Sequence, residues 1–128
     1  MSSEDNKIQE VYMRITQKIQ DSQKQLSQIE VQISGNERES RLASLTKREI
    51  EALDASTPLY KSVGKMFVQE SKDVLISDLD SAIDGSKSMV DALKKKQKYV
   101  QRDLDEASGN LRDFIRSASS SSATTSKA

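Results

Sequence analysis

Apolar residues in the first third of the chain recur at steps of four and three: Ile8, Tyr12, Ile15, Ile19, Leu26, Ile29 and Ile33, with Ser22 in the one polar slot. This is the seam of a coiled coil, because a repeat of about 3.5 residues keeps such positions on one side of a helix. The slots continue through Asn36, Ser40 and Ala43, which are polar or small. The second half repeats the pattern at Ile76, Leu79, Ile83, Val90, Leu93, Val100, Leu104, Leu111 and Phe114, with Ser86, Gln97 and Ala107 in the remaining slots. No proline interrupts either tract, and the pattern predicts helices over 6–44 and 72–115. If these pair antiparallel, setting Ser22 opposite Gln97 puts Ile8 against Leu111, Tyr12 against Ala107 and Ile29 against Val90. That register matches polar with polar, which is how a buried polar pair fixes alignment. It leaves Ile33 against Ser86 and Asn36 against Ile83, so looser packing is expected near the connector. Gly35, Gly85 and Gly109 each cost about 1 kcal/mol relative to Ala inside a helix. A turn at Ser34-Gly35-Asn36 would give a three-helix bundle, but the heptad phase runs through it and favours one continuous helix.

Between the tracts the pattern changes. Thr46-Lys47-Arg48-Glu49 reads as a capping box that starts a short helix over 46–53. Asp54, Ser56 and Pro58 then break it. Leu59-Tyr60-Lys61-Ser62-Val63 and Met66-Phe67-Val68-Gln69 lean to β structure around Gly64-Lys65, which predicts a hairpin over 58–70. An isolated two-stranded hairpin is marginal in water, and its edges carry unpaired backbone groups. This one holds Leu59, Tyr60, Val63, Met66, Phe67 and Val68, a dense cluster of apolar residues outside the seams. Association of hairpins from several chains into a shared sheet or barrel resolves both problems. The alternative is that the hairpin folds back on its own helices, where the narrow seam offers little surface to receive it.

Composition narrows the chemistry. Apolar residues make up 34% of the 128 positions and charged residues 31%, a balance that suits long half-solvated helices better than a compact globule. Twenty basic residues offset 20 acidic ones, so no strong field for nucleic acid is expected. The chain has no His and no Cys. The commonest general base and the usual zinc ligands are therefore missing, and no thiol chemistry exists. Gly64-Lys65 lacks the rest of a phosphate loop, and Asp78, Asp80 and Asp84 lack the turn glycine and terminal Glu of a calcium loop. Lys94-Lys95-Lys96 with Lys98 and Arg102 reads as a solvated face near Asp91 and Asp103. No enzyme activity and no cofactor are expected. No apolar run is long enough to span a bilayer, and Met1 to Lys7 is polar and acidic rather than a signal peptide. Cytosol or nucleus is the expected compartment. The Ser-rich stretch 116–128 is low in complexity and is expected to be a disordered tail after a domain spanning 1–115.

The segment Tyr60-Lys61-Ser62-Val63-Gly64-Lys65-Met66-Phe67-Val68-Gln69 resembles the hairpin of prefoldin β-type subunits, especially the eukaryotic ones: an aromatic, Val-Gly, a basic residue, an aliphatic-Phe pair and Gln. Leu45-Thr46-Lys47-Arg48-Glu49-Ile50 and Lys96-Gln97-Lys98-Tyr99-Val100 are similar to the family's segments at the same places, and the likeness covers roughly residues 6–115. The resemblance implies a long antiparallel two-helix coiled coil, a short helix and one β-hairpin that joins an intersubunit barrel through Leu59, Tyr60, Val63, Gly64, Met66, Phe67 and Val68. It implies a hexamer with two α-type and other β-type subunits. It also implies capture of unfolded actin and tubulin and their delivery to the cytosolic chaperonin without ATP. In that architecture both chain ends lie at a free tip, where Ile8, Val11, Tyr12, Met13, Leu111, Phe114 and Ile115 are the candidate client contacts. Apolar contact suits promiscuous recognition because it is non-directional. The competing reading is a structural coiled-coil scaffold or tethering subunit, which shares the heptads and does not need the hairpin.

Overall fold

The computed structural model describes residues 3–126, with side chains described through Ser120. Helix α1 spans Ser3–Glu51, strand β1 Leu59–Val63, strand β2 Met66–Glu70 and helix α2 Lys72–Ser126. The chain divides into two compact units, one built from residues 1–30 and 95–128 and the other from residues 31–94.

In the first unit the buried positions are Ser22, Ile29, Val100 and Ala107, and Ile15, Ile19, Leu26, Gln97, Leu104, Leu111 and Phe114 are half-buried. All of these are seam positions of the heptad pattern; Thr16, Ser108 and Gly109, also half-buried, flank it. Ser22 is 6% exposed, so the polar slot lies inside the seam as its phase requires. No buried side-chain nitrogen or oxygen among the described residues lacks a hydrogen-bond partner.

In the second unit Ile83 and Val90 are buried, and Ile33, Asn36, Ser40, Ala43, Lys47 and Ile50 are half-buried on α1. The seam phase therefore runs unbroken through Gly35, which is helical. Asn36 donates from Nδ2 to the Gln32 carbonyl at 2.8 Å, a contact made within one helix, so Ser34-Gly35-Asn36 is not a turn.

Three expectations need correction. The short helix over 46–53 does not exist separately, because α1 continues to Glu51. The Thr46 hydroxyl donates back to the Leu42 carbonyl at 2.8 Å instead of capping a new start. The tail expected to be disordered from 116 continues α2 to Ser126, while residues 127–128 lie outside the described residues. Extending an existing helix through Ser and Ala needs no new nucleus, so the run propagates from the turn before it. The third correction concerns register. Lys47 Nζ meets Asp80 Oδ1 at 2.6 Å. The expected alignment sets Lys47 level with Lys72, roughly 12 Å away along α2 at the usual helical rise. In the first unit, likewise, Tyr12 shares a groove with Phe114, where the expectation was Ala107. Each unit is thus paired about one heptad beyond the expected register. The connector supplies the reason. Lys72 Nζ donates to the carbonyls of Glu51 at 3.2 Å and Leu53 at 2.9 Å, and so ties the start of α2 to the end of α1. That closure outweighs a Ser–Gln match.

The local chemistry of the connector is legible. Asp54 Oδ1 accepts from the Ala55 N–H, and Thr57 N–H donates to the Asp54 carbonyl, a side-chain-supported turn that ends α1 ahead of Pro58. Ser71 caps α2: its Oγ accepts from the Val74 N–H at 3.4 Å, with Asp73 in the first turn where the helix dipole favours an anion.

Candidate functional site

The described residues bring the candidate side chains together in two surfaces, one in each unit. The first is the hairpin. β1 and β2 pair antiparallel, Leu59 with Glu70, Tyr60 with Gln69, Lys61 with Val68, Ser62 with Phe67 and Val63 with Met66. Gly64 and Lys65 make the two-residue loop. Gly64 has φ +61° and Lys65 does not enter positive φ, the pattern of a type II′ turn with glycine first. Because side chains alternate across a strand, Leu59, Val63, Met66 and Val68 share one face and Tyr60 and Phe67 the other. Both faces meet solvent: Phe67 is 74% exposed and Met66 68%, Tyr60, Val63 and Val68 are exposed, and only Leu59 is half-buried. All seven expected hairpin residues therefore sit on one small element whose apolar groups are uncovered. Lys61 reaches Asp78 on α2 at 3.4 Å, a contact that positions β1 against the first turns of that helix.

The second surface is a groove of about 630 Å³ lined by Ile8, Gln9, Tyr12, Met13, Phe114, Ile115, Ala118 and Ser119. Five of the seven expected tip residues line it: Ile8, Tyr12, Met13, Phe114 and Ile115. Val11 is exposed and Leu111 half-buried, and neither lines the groove. Ile8 and Tyr12 hold seam phase yet are exposed, so the seam opens at this end. Met13, 68% exposed, adds a flexible and polarisable side chain. Ala118 and Ser119 were missed because residues from 116 read as tail. Ala118 nevertheless falls four residues after Phe114, on the seam phase, and that step was the available signal.

Among the described residues no group of His, Cys, Asp and Glu could hold a metal ion, and no helix is long and apolar enough to cross a membrane. Lys47 is held away from its ordinary pKa of 10.5. It is raised, first by its hydrogen bond to Asp80 and then by the charges of Asp80, Glu51 and Asp84, against the opposing effect of burial.

Comparison with known proteins places this geometry. The chain is 29% identical to mouse prefoldin subunit 1, over 89% of this chain and 93% of that one. It is 32% identical to the probable prefoldin subunit 1 of Schizosaccharomyces pombe, over 88% of this chain and all of that one. Its fold resembles the crystal structure of the prefoldin beta subunit from Thermococcus strain KS-1, with a TM-score of 0.75 at 24% identity, covering 82% of this chain and 92% of that one. The prefoldin beta2 subunit of the same strain matches with a TM-score of 0.61 at 20% identity, over 69% and 94%. The family profile described as "Prefoldin subunit" matches residues 13–118, and the chain belongs to the prefoldin subunit family.

Proposed function

We propose that the two surfaces divide the work of a holding chaperone: the hairpin recruits the other subunits of a prefoldin hexamer, and the groove at the open end of the seam holds unfolded clients. Family membership makes the chain a co-chaperone subunit with other prefoldin subunits as partners. The finer assignment rests mainly on one observation, the apolar groove formed where Ile8 and Tyr12 leave their seam and meet Phe114 and Ile115. Open apolar surface of this kind binds without regard to sequence, and nothing in its lining supplies a charge that would select one ligand. Actin and tubulin chains are the proposed clients and the cytosolic chaperonin the proposed recipient, with transfer driven by competing contacts rather than by ATP. The cytosol is the proposed compartment.

The test is a variant pair in the reconstituted complex. Met13→Glu with Ile115→Glu should leave subunit stoichiometry intact and weaken suppression of aggregation of denatured actin. Unchanged suppression by an intact complex overturns the tip assignment. Loss of the complex itself overturns the division of labour.

A further inference from the structure

A further hollow in the structure belongs to neither surface. Lys95, Lys98, Tyr99 and Arg102 line it on α2, within the first unit, and it encloses about 260 Å³. Their spacing of three, four and seven residues puts all four on one exposed stripe of the helix, off the seam carried by Gln97, Val100 and Leu104. Tyr99 is 67% exposed, an unusual position for a large ring, and the Arg102 guanidinium carbon lies 6.0 Å from the ring centroid.

These cations lie on the solvated face that the sequence predicts, and the nearby acids close no ion pair with them. Among the described residues no ion pair joins Lys95, Lys98 or Arg102 to any carboxylate. Asp105, one turn from Gln101, accepts instead from the Gln101 Nε2 at 3.0 Å. Three cations that close no ion pair therefore share one hollow with an aromatic ring. Along the sequence the stripe is bounded by Asp91 before Lys95 and Glu106 after Arg102. The positive field is confined to about two helical turns, roughly 10 Å from Lys95 to Arg102. That length matches about three residues of an extended chain.

We propose that this stripe is a docking site for a short acidic segment of a partner protein, its carboxylates on Lys95, Lys98 and Arg102 and an apolar or methylene group on the face of Tyr99. A long polyanion such as nucleic acid is disfavoured, because it would run onto the flanking carboxylates, and the chain as a whole has no net charge. Charge-assisted contacts from three cations give the affinity, and the ring gives a flat apolar platform that a bare lysine cluster lacks.

The experiment uses the full chain in complex with the subunits that co-purify with it. The probe is a fluorescein-labelled four-glutamate peptide carrying one benzophenone, about the length of the stripe. Lys95→Gln/Lys98→Gln/Arg102→Gln is compared with Lys7→Gln/Lys18→Gln/Lys24→Gln, which removes the same charge from exposed positions on α1. The expected result is at least a tenfold loss of affinity for the first triple, less than twofold for the second, about threefold for Tyr99→Leu, and photocrosslinks mapping to residues 95–102. Circular dichroism of each variant checks that helix content is kept. Equal losses in both triples, crosslinks elsewhere on the chain, or no binding by the parent complex would overturn the proposal. So would tighter binding of a ten-nucleotide oligothymidylate than of the peptide, which would assign the stripe to nucleic acid.

Discussion

The hairpin and the groove expose apolar side chains by opposite means. In the hairpin the exposure is built in: five-residue strands with alternating side chains offer two apolar faces, and a two-stranded sheet has no second layer to cover either. In the groove it comes from a seam that fails to close, so residues with core phase, Ile8 and Tyr12, are left in solvent. The hairpin presents fixed backbone edges as well as side chains, and can pair with another strand in only a few registers. The groove presents side chains of helices whose backbone is already satisfied, and it dictates no register to what lies in it. A directional surface suits permanent partners, and a non-directional one suits changing clients.

Four experiments sharpen or break this contrast. The largest effect is expected from Val63→Asp with Phe67→Asp, which places a charge on each hairpin face. The chain should drop out of the complex on size-exclusion chromatography while its helical circular dichroism persists; retention in the complex would make the hairpin dispensable and favour the scaffold reading. Next comes the double change Met13→Glu and Ile115→Glu, expected to reduce client holding about tenfold. Both residues are exposed, so chain stability should move by no more than about 0.5 kcal/mol in denaturant melts. Third is Gly64→Ala. A Cβ there meets nothing within 4 Å, so the cost is purely conformational: a φ of +61° strains any L side chain by about 1–2 kcal/mol. The strain should appear as weaker assembly with client holding per assembled complex unchanged. The smallest effect concerns Lys47. Its pKa is raised above 10.5, so its contribution to stability is fully present below that value and fades as pH climbs through the folded-state pKa. Thermal melts of the parent should therefore show a small alkaline step above pH 10.5 that Lys47→Met lacks, and no matching step at neutral pH.

Much of this was legible in the chain. The seam residues of both helices, the turn at Gly64 and the breakers at Asp54 and Pro58 were readable because each depends on neighbours within a few residues. The register was not. It depends on Lys72 reaching the carbonyls of Glu51 and Leu53, a contact between residues about twenty apart that no local pattern encodes. Thr46 misled for a related reason: a hydroxyl that can cap a helix can also bond back to the carbonyl four residues earlier, and tertiary context chooses between them. At the groove the heptad phase put Ile8, Tyr12 and Phe114 on the seams whose open end they line, but low complexity in the Ser-rich stretch hid Ala118 and Ser119.

The tie between Lys72 and the end of α1 also bears on the order of folding. Contacts at the connector close loops of 17 to 21 residues, whereas those lining the groove join residues about a hundred positions apart. Loop-closure entropy favours the short loops first, so the helices should zip from the connector and reach Tyr12 and Phe114 last. The same sequence of events in reverse makes the groove the first place to open. Amide hydrogen exchange should then rise from residues near Ile83 and Val90 toward the groove, and a flat profile would rule out such a zipper.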